Sequence, residues 1–141
     1  MRWFSVLAVI LATGCCGFNR EWKRASIERQ TTNDLGGRWE GHWMSERNGH
    51  NGRLRCIVAP STNASHKARF HAKYWKIFSF GYAVPLRVES SNGACRFEGE
   101  ADLGKLAGGV YKYAGQVTGT NWQSTYQSRY DHGYFRMNRI R

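Results

Sequence analysis

The chain has 141 residues, with 21 Lys+Arg against 10 Asp+Glu for a formal charge of +11, 41% hydrophobic residues, 14% aromatics, 16 Gly and 2 Pro. So high an aromatic content excludes a disordered chain, and the composition excludes Pro-rich and collagen-like types. No apolar run reaches the roughly 18–20 residues of a membrane-spanning helix, which leaves one small, basic, aromatic-rich globular domain.

Residues 1–14 read as an export signal. Arg2 is a minimal basic region, and Trp3 to Ala12 is an apolar run too short to span a bilayer. Thr13-Gly14-Cys15 resembles the lipobox of bacterial lipoproteins, whose cysteine is acylated and becomes the first residue of the processed chain. The resemblance implies lipidation at Cys15. It also implies sorting to the outer membrane, facing the periplasm, because Cys16 rather than Asp follows. Two acyl chains anchor stably where one is marginal. A plain secretory signal cut near Gly14, giving a soluble periplasmic or secreted protein, is the alternative. Arg2 is the only charged residue among the first fourteen, so the excess charge belongs to the rest of the chain.

Residues 15–35 read as tether and linker. Phe18 to Arg29 suits a short helix, with Asn19 as a candidate N-cap and sparse apolar residues at Phe18, Trp22, Ala25 and Ile27. Gln30 to Leu35 is a polar linker.

Residues 36–141 read as strands, with turn signals at the 8–12-residue spacing of all-β domains. Eight are expected: Arg38–Ser45, Gly52–Pro60, Lys67–Trp75, Phe78–Glu89, Ala94–Asp102, Gly109–Thr118, Asn121–Tyr130 and Gly133–Ile140. Alternation assigns their faces. In the fourth strand Phe78, Phe80, Tyr82, Val84, Leu86 and Val88 share one side. A turn centred on Ser91-Asn92 would pair Val88 with Cys95 and Leu86 with Phe97. A turn centred on Thr62 would pair Arg55 with Arg69 and Arg53 with His71. Pro85 points to a bulge or an edge position. Sequential antiparallel strands favour an eight-stranded up-and-down barrel, with a β-sandwich as the alternative.

Gly37-Arg38-Trp39 in the first strand, with Arg136 and Arg139 in the last, resembles the Gly-x-Trp signature of lipocalins and other calycins. The resemblance implies that Trp39 plugs one barrel end under Arg136 or Arg139. Lipobox, tether and Gly-x-Trp-x-Gly-x-Trp together resemble small bacterial lipoproteins, a likeness that implies a location and no activity.

No catalytic, metal or cofactor motif stands out. Asp131-His132, with Ser124 and Ser128 nearby, superficially suggests base and nucleophile, but turn chemistry accounts for Asp131-His132-Gly133. His42, His50, His71 and His132 lack metal-ligand spacing. Cys56 and Cys95 face inward, as a disulfide or as two buried thiols. Arg53, Arg55, Lys67, Arg69 and Lys73 would share the outward face of one hairpin, a candidate surface for anions. An exported protein meets little nucleic acid, so lipid phosphates, lipopolysaccharide or acidic cell-wall polymers are the anionic partners to expect. Tyr74, Tyr82, Tyr111 and Tyr126 are candidates to line a barrel mouth. The sequence thus suggests a membrane-anchored, non-enzymatic binding module for a small apolar or amphipathic ligand. The alternative is an envelope interaction protein using the basic hairpin, and a hydrolase ranks last.

Overall fold

Strands that bury one face need apolar residues at every second position, and the chain supplies them eight times: β1 (Gly37–Ser45), β2 (Asn51–Pro60), β3 (Ser65–Tyr74), β4 (Phe78–Ser91), β5 (Ala94–Asp102), β6 (Val110–Thr118), β7 (Asn121–Gln127) and β8 (His132–Ile140). The structure, a computed structural model, describes residues 17–26, 35–60, 65–74 and 78–141. The export signal, Cys15, the end of the expected helix (residues 27–29), linker residues 30–34, the expected turn at Thr62 and Trp75 at the end of the expected third strand lie outside the described residues. A short helix, α1, spans residues 17–25.

Each strand pairs antiparallel with the next, and β8 returns to β1 from Arg38↔Ile140 to Ser45↔Gly133. The result is a closed up-and-down barrel rather than a sandwich. Closure satisfies the edge strands that an open sheet would expose.

Two hairpin registers differ from the sequence expectation by two residues, which leaves every side chain on its expected face. Val88 pairs with Phe97 and Ser90 with Cys95, because the turn is centred on Asn92-Gly93. Both turn residues adopt positive φ, 51° and 77°, as a type I′ hairpin requires. Between β2 and β3, Arg55 faces His71 and Ile57 faces Arg69, so the expected Arg55–Arg69 pair does not form. β7 ends at Gln127 because Ser128 starts a turn. Its Oγ accepts the amides of Tyr130 and Asp131 at 3.2 and 3.0 Å.

The β4–β5 ladder is incomplete. Its last pair is Leu86↔Gly99, and residues 78–85 of β4 pair with β3 alone. Pro85, which has no amide hydrogen to donate, stands where the ladder stops. The wall therefore parts on that side at the end of the barrel where β4 begins.

Eight strands leave an interior that side chains can fill. Phe70 lies near its centre, with ring centroids of Tyr82, Phe135, Tyr113 and Trp122 at 5.2, 5.4, 6.1 and 6.1 Å. Leu54, Cys56, Val84, Leu86, Val117 and Met137 pack around these rings and are buried. Close backbone approach decides one position. A Cβ on Gly41 would lie 1.9 Å from the Arg136 carbonyl oxygen and 2.7 Å from the Met137 Cα. Backbone cannot yield as a flexible side chain can, so Gly41→Ala should lower unfolding free energy by about 2–3 kcal/mol in urea titration. An unchanged midpoint would show that β1 and β8 are not so closely apposed.

Candidate functional site

The barrel has two unlike ends. One is closed. Trp39 is fully buried there, and its Nε1 donates to the Leu35 carbonyl at 2.9 Å. The Arg139 guanidinium lies 4.3 Å from the Trp39 ring centre and donates to the Gly36 carbonyl at 2.6 Å. Of the two candidate arginines, Arg139 is the cover. Arg136 is exposed on the outer wall, 4.6 Å from the Tyr134 ring. The Trp122 ring packs 5.4 Å from Trp39 and completes the plug.

The four candidate tyrosines fall in the other half, in two groups. Tyr82 reaches Tyr113 at 6.2 Å, Tyr113 reaches Tyr111 at 6.3 Å, and Tyr111 reaches Tyr126 at 6.1 Å. Tyr74 stands apart, stacked on Trp43 at 6.0 Å, with its hydroxyl 2.8 Å from His50 Nδ1. Phe80, 38% exposed, borders Tyr82 at 5.6 Å. Phe80 and Tyr82 on β4 and Tyr111 on β6 lie around the β4–β5 parting, and all three are part-exposed. The 3₁₀ turn η1 (Lys105–Ala107) stands in the connection above. At Gly108, just after it, an added Cβ would lie 2.6 Å from the Tyr111 hydroxyl. Burial pushes the Tyr82, Tyr113 and Tyr126 phenols well above their ordinary range. For Tyr126 the neighbouring Asp131 carboxylate adds to the rise. These hydroxyls stay neutral at physiological pH and can donate hydrogen bonds.

Deeper, the barrel is occupied by the Phe70 cluster. Among the described residues, clefts of about 590 and about 540 Å³ open on the outer wall. The larger lies where β4 and β5 part, between Pro85, Arg87, Glu98, Glu100 and Lys112.

The basic hairpin is not a bare surface, because α1 lies across it. Phe18 is 2% exposed, stacks on His71 at 4.9 Å, and has the Arg55 and Arg69 guanidinium groups at 5.1 and 5.9 Å. Trp22 lies 5.1 Å from Arg38 and 5.2 Å from Arg55. Such cation–π contacts contribute about 0.5–2 kcal/mol each. Glu21 pairs with Arg69, Asn19 accepts from Arg55 at 3.1 Å, and Glu40 pairs with Arg53. Lys67 remains exposed and Lys73 half-buried. The i, i+4 spacing of Phe18 and Trp22 was the sequence signal for a docked face. Tyr113 and Phe80 extend the tyrosine group beyond the four candidates, and their strand parity already marked them as inward.

Cys56 and Cys95 are buried thiols and are not joined to each other as a disulfide. Burial raises the Cys56 pKa well above its ordinary value. The Asp131 carboxylate accepts from Ser45 at 2.5 Å and Tyr126 at 3.2 Å, a tie that joins β1 to the β7–β8 turn. Ser124 Oγ accepts from Trp122 at 2.9 Å. Asp131, Ser124 and Ser128 thus make hydrogen bonds that hold local structure. Among the described residues no three His, Cys, Asp or Glu side chains could share a metal. No helix there is long and apolar enough to cross a membrane. Comparison with protein-family models, curated proteins and solved structures gave no match.

His71 gives the α1 contact a pH dependence. Burial lowers its pKa, and the positive charges of Arg55, Lys73, Arg53 and Arg69 lower it further. The folded state therefore resists the proton that an unfolded chain accepts near pH 6.5. The stability contributed by neutral His71 is complete above that value and falls as pH drops below it. Unfolding midpoints measured from pH 7.5 to about 5.5 should decline, and His71→Phe should flatten that decline. An unaltered slope in the variant would remove His71 as the cause. At the closed end, Arg139→Ala should cost about 2 kcal/mol, since a cation–π contact and a charge-assisted hydrogen bond go together. Denaturant unfolding measures it.

Proposed function

We propose that this chain is a membrane-anchored, non-enzymatic envelope lipoprotein whose barrel holds a small amphipathic ligand at its open end. The anchor is the acylated Cys15, and the protein faces the periplasm from the outer membrane. The supporting observation is the asymmetry of the barrel. Trp39, Trp122 and Arg139 close one end, while Phe80, Tyr82 and Tyr111 stand part-exposed around the β4–β5 parting at the other. An apolar body can rest on these rings while a tyrosine hydroxyl meets a polar group. Because the Phe70 cluster fills the interior below, the ligand sits in the upper layer rather than in a deep cup. The basic-hairpin alternative is less favoured, since α1 and Glu40 already engage Arg53, Arg55 and Arg69.

The test is titration with a fluorescent fatty acid. Ala101 sits on β5 beside the parting and packs partly against the core. Ala101→Trp should fill the gap and weaken binding at least tenfold, as should Tyr111→Ala, which removes an aromatic anchor. Arg96→Ala, exposed and near the other end of β5, should leave affinity unchanged. Absence of probe binding, or equal binding by all three variants, would count against a site at the open end.

A further inference from the structure

Docking sorts the charges of α1 by sign. The helix carries Arg20, Glu21, Lys23 and Arg24. Glu21, its only acid, pairs with Arg69 on the barrel. Phe18 and Trp22 lie against the same wall, among His71, Arg55 and Arg38. Arg20, Lys23 and Arg24 are exposed. Their i, i+3, i+4 spacing gathers them on one side of the helix. The apolar face is thus already covered by the protein's own barrel, and what α1 turns outward is uniformly positive.

The position of this face in the chain matters. Only Cys16 separates Cys15 from Gly17. Two Cα–Cα steps span at most about 7 Å, so a lipid on Cys15 holds the start of α1 at headgroup level. Cationic residues immediately beside an anchor are attracted to anionic lipid, by about fivefold in association for each residue near the surface.

We propose that the outward face of α1 is a docking surface for anionic lipid headgroups, with Arg20, Lys23 and Arg24 as its contacts. The β1–β3 wall then lies toward the bilayer with α1 between, and the open end of the barrel faces along the membrane. The nearness of α1 to lipid rests on the anchored reading above. The sorting of its charges does not. A rival orientation is visible at the open end, where Leu106 and Tyr130 are exposed beside Lys105 and Arg129. That rim would bring the mouth down onto the lipid instead.

Lysine labelling separates the two. The full-length protein is mixed with phosphatidylcholine vesicles, with or without phosphatidylglycerol, and treated with a membrane-impermeant amine-reactive ester. Peptide mass spectrometry then reads each lysine. Labelling of Lys23 should fall about fivefold or more on the anionic vesicles only, and recover in high salt as screening shortens the reach of charge. Lys105 and Lys112 should label equally throughout. The paired substitution Arg20→Glu with Arg24→Glu should abolish the protection, while Arg96→Glu should preserve it. Lys23 labelled alike on all vesicles, or Lys105 protected in its place, overturns the proposal. The same digest weighs the Cys15 peptide. An acylated Cys15 with unprotected Lys23 keeps the anchor and sinks the surface. An unmodified Cys15 with protected Lys23 does the reverse.

Discussion

The structure depends on closing eight strands around one cluster of rings. An eight-stranded barrel encloses little more than its own inward side chains, so the identity of those side chains decides whether it is a container or a solid. Here Phe70 lies among Tyr82, Tyr113, Phe135 and Trp122. Aromatic rings bury large areas with few rotatable bonds, and their edge and offset contacts contribute beyond area alone. That filling packs the middle of the barrel with rings from β3, β4, β6, β7 and β8. Phe80 and Tyr82 stand on the stretch of β4 that pairs with β3 alone.

A second relation joins charge to aromatics on the outside. The β2–β3 wall concentrates cations, an arrangement that costs stability when they oppose one another. α1 answers it with ring faces and one carboxylate. Phe18 and Trp22 receive Arg38, Arg55 and Arg69, and Glu21 completes Arg69. A helix this short would be marginal alone, so its order derives from the wall it covers. Neither partner explains itself without the other.

The barrel was legible in the sequence because period-two patterning survives single-sequence reading. Inward residues, antiparallel order and the Trp39 plug all follow from it or from the Gly-x-Trp resemblance. Register was less legible. Moving a turn by one residue changes every pair by two positions while preserving faces, so patterning could not choose between Ser91-Asn92 and Asn92-Gly93. The positive φ of Asn92 and Gly93 chooses, and Asn-Gly is the dipeptide such turns favour. The cover over the basic hairpin was hidden for another reason. Exposure of a strand face depends on what packs against it from elsewhere in the chain. Nothing local to Arg55 or Arg69 announces a helix some 35–50 residues earlier. Which of Arg136 and Arg139 covers Trp39 likewise depends on strand direction and parity at the closed end, where Arg139 pairs directly with Trp39.

The two cysteines carry a consequence for the life of the chain. Cys56 and Cys95 sit as reduced thiols inside the barrel, and Cys56, fully buried, is held far from its reactive thiolate form. In oxidising surroundings such groups are safe only while the wall stays shut. A chain that opens, or that folds too slowly, exposes both to oxidation. An oxidised sulfur is too polar for the site it came from. Oxidation in such surroundings would therefore mark molecules that gape and spare those that remain closed, and it becomes irreversible at the sulfinic stage.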